Sequence, residues 1–223
     1  MVTPWPFHTW GLDLVGPVNP PSCEYIWILV ATEYFTKWVV VVPLCKAIGG
    51  VVENFIKENI IVRFGVPNKI FSDNDTPFVN SEVRKMLEFY HVKHHHSSPY
   101  YPQGNGKAEA TNKTLIKIIS KMSQKYTRGW AMHLPDALWA YRNSPKFVTG
   151  FSPFSLVYET EVMSLAEVMT PSLKVMLMQE KEEEKEVIAA ERYEDLDGLN
   201  ERREKAQERN HRYRQRMTEA YVE

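Results

Sequence analysis

An α/β fold with a five-stranded mixed sheet flanked by helices, followed by a long charged helical extension, is what this sequence predicts. Two observations carry the prediction. Three β-rich runs come first and are followed by alternating helix-like and strand-like segments. A sharp change in composition near residue 176 then leaves a tail rich in charged helix formers. Hydrophobic residues at 43% and aromatics at 12% place the chain among globular rather than disordered sequences.

The elements follow in order. "TWGLDLVGP" is a short apolar strand ended by Gly-Pro, and "YIWILVATEYF" and "KWVVVVPL" are rich in β-branched and aromatic residues. Their close spacing predicts an antiparallel meander. "VVENFIKENIIVRFG" has apolar residues at helical spacing and ends at Gly65, a C-cap residue. "NKIFSD" is a short buried strand, "SEVRKMLEFYH" a helix capped by Asn80 or Ser81, and "VKHHHSS" a fifth strand. "PYYPQGNG" is a loop by its Pro and Gly content, and "KAEATNKTLIKIISKMSQKY" is a helix with Leu115, Ile116, Ile119 and Met122 on one stripe. "WAMHLPDALWAYRNS" is a further helix, either kinked or begun at Pro135. Trp10, Trp27, Trp38 and Trp139 fall on these elements and are read as packing residues.

The predicted domain is 1–170, and 171–223 is a charged helical tail or linker, acidic over 176–200 and basic over 201–216. The basic end either lies along a phosphate backbone or links to a further module. Net charge is −1, so charge alone announces no nucleic-acid partner. Cys23 and Cys45 are too few for a disulfide framework, which fits a reducing, intracellular setting. No apolar run reaches the length of a membrane span.

The carboxylates carry the functional argument. Asp13 stands mid-strand between Leu12 and Leu14, where a charge is costly unless paired or metal-bound. Asp73 ends the fourth strand in "FSDNDTPF", with Asp75 two residues on. Glu109 lies in the first turn of the helix after the glycine-rich loop, and 35 residues (74 to 108) separate it from Asp73. Singly, each has a structural explanation: a buried hydrogen-bonded residue, a turn former, and an acid favoured by a helix dipole. Together they converge if strands one and four are neighbours. Consecutive His94, His95 and His96 alternate faces on a strand and so do not make one zinc site.

The segments "WGLDLVGP", "EYFTKW", "FGVPNKIFSDN", "SSPYYPQGNGKAEATNKTL" and "LWAYRNSPKFVTGFSPFSLVYETE" resemble the catalytic core of an integrase from a gypsy-type long-terminal-repeat retrotransposon, a relative of retroviral integrases. The resemblance runs from about 6 to 170. It implies an RNase H-like fold and a nucleotidyltransferase that processes 3′ ends and joins element DNA to target DNA. It assigns Asp13, Asp73 and Glu109 as the catalytic triad and as ligands of two Mg²⁺ ions, with Mn²⁺ able to substitute. Two such ions activate the attacking hydroxyl and stabilise the leaving oxygen. DNA contacts are expected from Lys107, Asn112, Lys113 and Lys117, and Gln103 and Asn105 either touch DNA or shape the loop. For Lys117 a plain solvated charge is the equal alternative.

Expected partners are element ends and target DNA, in a homo-oligomer, in the nucleus, with no membrane. The zinc module and downstream modules of full integrases are not in the sequence, so the chain reads as a fragment or a shortened frame. It departs from the family pattern at Glu33 (usually aspartate), Asp75 (glycine), Pro77 (often glutamine), Tyr101 (histidine) and Ala110 (arginine). A glycine at 75 is expected either for a positive φ or for a close backbone approach. Two other readings remain: a non-catalytic DNA-binding or assembly protein, and an RNase H-type nuclease.

Overall fold

The computed structural model describes residues 3–96, Thr114, Lys117, 129–158 and 185–219. The chain forms two compact units, 1–142 and 143–223.

The first unit is built on a five-stranded mixed sheet, as expected. Strands β1 (Thr9–Val15), β2 (Trp27–Glu33) and β3 (Val39–Leu44) form the antiparallel meander. β4 (Lys69–Ser72) adds in parallel to β1, and β5 (Lys93–His96) adds in parallel to β4. The order across the sheet is β3-β2-β1-β4-β5, so strands one and four are neighbours.

Helices make the connections that parallel strands need. Helix α1 (Gly49–Ile56) runs through a wide π-type stretch at Lys57–Ile61 into α2 (Val62–Phe64). It stops at Gly65, whose φ of +84° few other residues adopt without strain. Helix α3 (Ser81–Phe89) packs on α1 and is capped by Asn80, whose side chain accepts from the Glu82 amide at 2.7 Å. These helices bury Val52, Phe55, Ile56, Ile60, Val83, Met86 and Leu87.

Partnered residues on adjacent strands share a face of the sheet. Leu12, Ala31 and Val40 therefore line one face, and Asp13, Val30 and Val41 the other. On that second face Ile28, Val30, Val39 and Val41 form one core with Trp130, Leu134, Ala137 and Tyr141. The last four come from a 3₁₀ turn, Trp130–His133, that leads into α4 (Leu134–Asn143). The helix thus begins beside Pro135 rather than kinking at it, because a proline in the first turn has no backbone bond to lose. Polar contacts fix it: the Trp130 indole donates to the Pro20 carbonyl, and Arg142 donates twice to the Val39 carbonyl while lying 4.1 Å over the Trp38 ring. Trp10 and Trp38 are buried as expected and Trp27 is partly buried, but Trp139 is exposed, and the buried tryptophan here is Trp130 in the 3₁₀ turn before α4.

In the second unit, α5 (Pro153–Tyr158) packs on α6 (Lys185–Glu219), the expected charged extension. The extension is less solvated than its composition implies. Leu199, Ala206 and Asn210 are buried, and Arg203 donates to the Leu156 carbonyl. Among the described residues, no helix is long and apolar enough to cross a membrane.

Candidate active site

β1 and β4 pair with Thr9 opposite Lys69, Trp10 opposite Ile70, and Gly11 opposite Phe71. The ladder ends there; carried two residues further, the register would set Asp13 level with Asp73, just past the end of β4. Parity on a strand puts Asp13 on the face of Gly11, and Asp73 belongs to the same row as Phe71 if the strand direction continues. Asp13 is partly buried, and one of its oxygens accepts from the Leu14 amide at 2.8 Å.

Asp73 is partly buried, and its carboxyl is held above the usual carboxylate range. Burial is the larger cause, and the negative charge of Asp75 adds to it. Amide hydrogen bonds, including one from Asp75 at 3.4 Å, and the nearby His96 pull the other way. Like-charge crowding is therefore present, but its source is the exposed Asp75. The left-handed residues other than glycine, among those described, are Phe7, Cys23, Lys37 and His91. Asp75 is not one of them, so the positive-φ reason for a glycine at 75 does not hold in this turn. The turn closes instead through the Asp75 carbonyl, which accepts from the amides of Phe78 and Val79.

The residues beside Asp13 include a row that the sequence reading missed. Tyr34 stacks on Phe71 with centroids 5.9 Å apart, and Phe71 stacks on His95 at 4.8 Å. The Tyr34 ring lies so close to β1 that a Cβ at Gly11 would stand 2.6 Å from it. Burial and the charge of Asp13 both push the Tyr34 hydroxyl strongly up, so it stays protonated. A glycine inside a β-rich run, two residues before the aspartate, was the available signal for this close approach.

His94 and His96 share one face, with ring centroids 4.1 Å apart and both within reach of the Ser72 hydroxyl, at 2.9 and 3.4 Å. His95 points to the other face, against Phe71, as strand alternation requires. Burial, then the charges of His96 and His95, push His94 down to about 4. Its folded value lies below its unfolded value of 6.5, so between the two the unfolded chain takes up a proton that the folded chain refuses. Stability is expected to fall as pH drops from 6.5 towards 4, by on the order of 2 kcal/mol after allowance for solvent screening. Urea denaturation of the parent and of His94→Gln across this range checks it: the variant should show a flatter profile.

Glu109, Gln103, Asn105, Lys107, Asn112 and Lys113 lie outside the described residues, whereas Lys117 is helical and exposed. Among the described residues, no three His, Cys, Asp or Glu side chains are gathered as a metal-holding group. Asp13 and Asp73, the two candidate carboxylates that lie within the described residues, supply only oxygen donors. That donor chemistry fits a hard cation such as Mg²⁺, and the raised Asp73 carboxyl sits where positive charge would be welcome.

Comparison with known proteins agrees with this architecture. Residues 4–102 match the family model of the integrase core domain. The Gag-Pol polyprotein of avian reticuloendotheliosis virus is 31% identical over 153 residues, 69% of this chain and 13% of that protein. The transposon Tf2-3 polyprotein of Schizosaccharomyces pombe is 27% identical over 154 residues, 69% of this chain and 12% of that protein. The chain thus spans about an eighth of the length of these relatives. Among solved structures, the simian T-cell lymphotropic virus intasome in complex with PP2A regulatory subunit B56 gamma matches with a TM-score of 0.62 and 18% identity. That match covers 70% of this chain and 55% of the other, and it supports the RNase H-like fold. Residues 4–102 thus carry an integrase core domain of the kind found in retroviral and retrotransposon polyproteins.

Proposed function

We propose that this chain catalyses metal-dependent polynucleotidyl transfer: 3′-end processing of element DNA and its joining to target DNA. The observation that supports the proposal is the parallel register of β1 and β4, from Thr9 opposite Lys69 to Gly11 opposite Phe71, which, extended by two residues, would set Asp13 level with Asp73. Glu109 is proposed as the third carboxylate. Two Mg²⁺ ions, with Mn²⁺ as a substitute, would be held by Asp13, Asp73 and Glu109. When bound, they would activate the attacking hydroxyl and offset charge on the leaving oxygen.

The chain's own residues hold and orient. Asp13 is fixed by the Leu14 amide, and Asp73 by the amide of Asp75. The aromatic row of Tyr34, Phe71 and His95 gives the site a rigid apolar edge. Lys107, Asn112, Lys113 and Lys117, with Gln103 and Asn105 in the loop, are proposed to contact the DNA backbone and groove. The proposed catalytic core is 1–170 with an extension from 171. The proposed working form is a homo-oligomer on element ends and target DNA in the nucleus.

The test is strand transfer. A duplex oligonucleotide with a recessed 3′ end is incubated with a supercoiled plasmid in Mg²⁺ or Mn²⁺, and joined product is scored. An RNA–DNA hybrid run alongside tests the nuclease alternative, which predicts cutting of the hybrid and no joining.

A second reading, a decayed DNA-binding or assembly protein, draws on Asp75. Its charge adds to burial in raising the Asp73 carboxyl and would repel an incoming phosphate. For exposed charges a few ångströms apart, repulsion is about 1 kcal/mol or less, so Asp75→Gly is expected to raise DNA binding or transfer roughly three- to fivefold. The gain should shrink as salt is added. Loss of transfer in Asp75→Gly would make Asp75 the working ligand and reverse the assignment of the pair.

A further inference from the structure

Helix α6 carries Lys205, Arg209, Arg212 and Arg216 at spacings of four, three and four, which puts them on one stripe. Two of these cations are partly offset, Lys205 by Glu201 and Arg212 by Glu208 at 3.4 Å. Against the stripe, within the same compact unit, stands Phe147, which is 75% exposed. Tyr213 meets its ring edge-on at 6.0 Å, and the Arg209 guanidinium lies 5.7 Å from its centroid. Gly150, with φ of +79°, makes room for this arrangement: a Cβ there would stand 2.7 Å from Arg209 Nη1. Phe147, Tyr213, the four cations and the Glu208 carboxylate line an open recess of about 450 Å³.

A large ring left in water beside a row of cations is costly to keep and easy to cover. The covering group must be flat to stack on the ring and anionic to meet the arginines. An acidic peptide satisfies the charges, but its charged side chains bring no flat ring, so it would need an aromatic residue beside them to cover Phe147. A DNA duplex satisfies the charges, but its base faces are already stacked within the helix. A nucleotide outside a duplex offers both a bare base and its phosphates.

We propose that this recess holds an unpaired nucleotide of a single-stranded segment, its base stacked on Phe147 and the flanking phosphates on Arg212 and Arg216. Arg209 lies against the base plane or its phosphate edge, where a guanidinium is favourable in either role. The proposal rests on the nucleic-acid reading above for its partner class only, and not on the carboxylates.

The experiment is fluorescence anisotropy on the full chain in chelator, with a labelled thymidine oligonucleotide about 20 nucleotides long and a duplex of the same length. Without divalent metal no transfer occurs, so the result is independent of the catalytic reading. Phe147→Ala is expected to weaken single-strand binding roughly five- to a hundredfold and leave duplex binding unchanged. Phe147→Trp should restore it. Arg212→Gln combined with Arg216→Gln should lower the salt slope by about 1.4, whereas Phe147→Ala should leave the slope as it is. Circular dichroism confirms that each variant keeps its helix. Single-strand binding that is absent in the parent, that survives Phe147→Ala, or that falls in step with duplex binding would overturn the proposal.

Discussion

Asp13→Asn and Asp73→Asn are each expected to reduce metal-dependent strand transfer by at least about a thousandfold, on the order of 4 kcal/mol of transition-state stabilisation. Both variants should remain folded. Glu109→Gln belongs to the same series. The expectation follows from what the oxygens are for. Asp13 stands on β1 and Asp73 just past the end of β4. Each strand is fixed by its ladder and by apolar neighbours such as Trp10, Leu12 and Ile70, all fully buried. An amide in place of a carboxylate keeps the shape and loses the charge that a divalent ion requires.

Asp73→Asn also removes a carboxyl that burial and Asp75 hold above its usual range. A group whose folded value is raised favours the folded state on the acid side and weakens it as pH rises through that value. The metal-free Asp73→Asn protein is therefore expected to be at least as stable as the parent at neutral pH. Loss of transfer with unchanged or increased denaturation midpoint would assign the residue to chemistry. Retained transfer in any one variant would remove that residue from the triad, and a collapsed fold would give it a structural role instead.

How much of this was legible in the sequence differs by element. The meander was legible because β-branched runs such as Val39–Val42 have few other places to go. The neighbouring of β1 and β4 followed from the helix between them. Asn80 and Gly65 marked helix ends by chemistry that acts within a few residues. Trp139 was misjudged because its helical stripe is decided by which face α4 turns to the sheet, and only the partner surface of Val30 and Val41 sets that face. The burial of Leu199 and Ala206 was hidden for the same reason: isolated apolar residues in a charged helix give no stripe until α5 is there to receive them. At the candidate site, spacing put Asp13 and Asp73 forward as candidates. It could not show that Tyr34 folds back over Gly11, since that contact joins a hairpin turn to the middle of another strand. Nor could it show that the turn after β4 tolerates Asp75 without a left-handed backbone.

Glu33→Ala is expected to cost about 3 kcal/mol or more of stability, although the family resemblance marks position 33 only as a departure. Glu33 is fully buried at the end of β2, and its carboxylate accepts from the Phe35 amide at 2.8 Å, the Thr36 amide at 2.7 Å and the Thr36 hydroxyl at 2.6 Å. It thereby closes the turn into β3, which the Glu33 carbonyl also ties by accepting from the Lys37 amide. Lys37 sits at φ of +66° and donates to the Tyr34 carbonyl, so a strained residue is held by the same turn. Alanine would leave three buried donors without an acceptor, each a cost of about 1–3 kcal/mol before relaxation and water entry. Burial raises the Glu33 carboxyl despite these hydrogen bonds, so the parent's carboxylate is less favourable than its contacts alone imply. Glu33→Gln should for that reason fall between parent and alanine, keeping one acceptor without a buried charge. Glu33→Asp should retain most of the stability, because a shorter carboxylate still reaches an amide two residues on. Urea denaturation of the three variants at pH 7 decides it. An alanine variant within about 0.5 kcal/mol of the parent would mean that water replaces the carboxylate and that the turn is held by its backbone bonds alone.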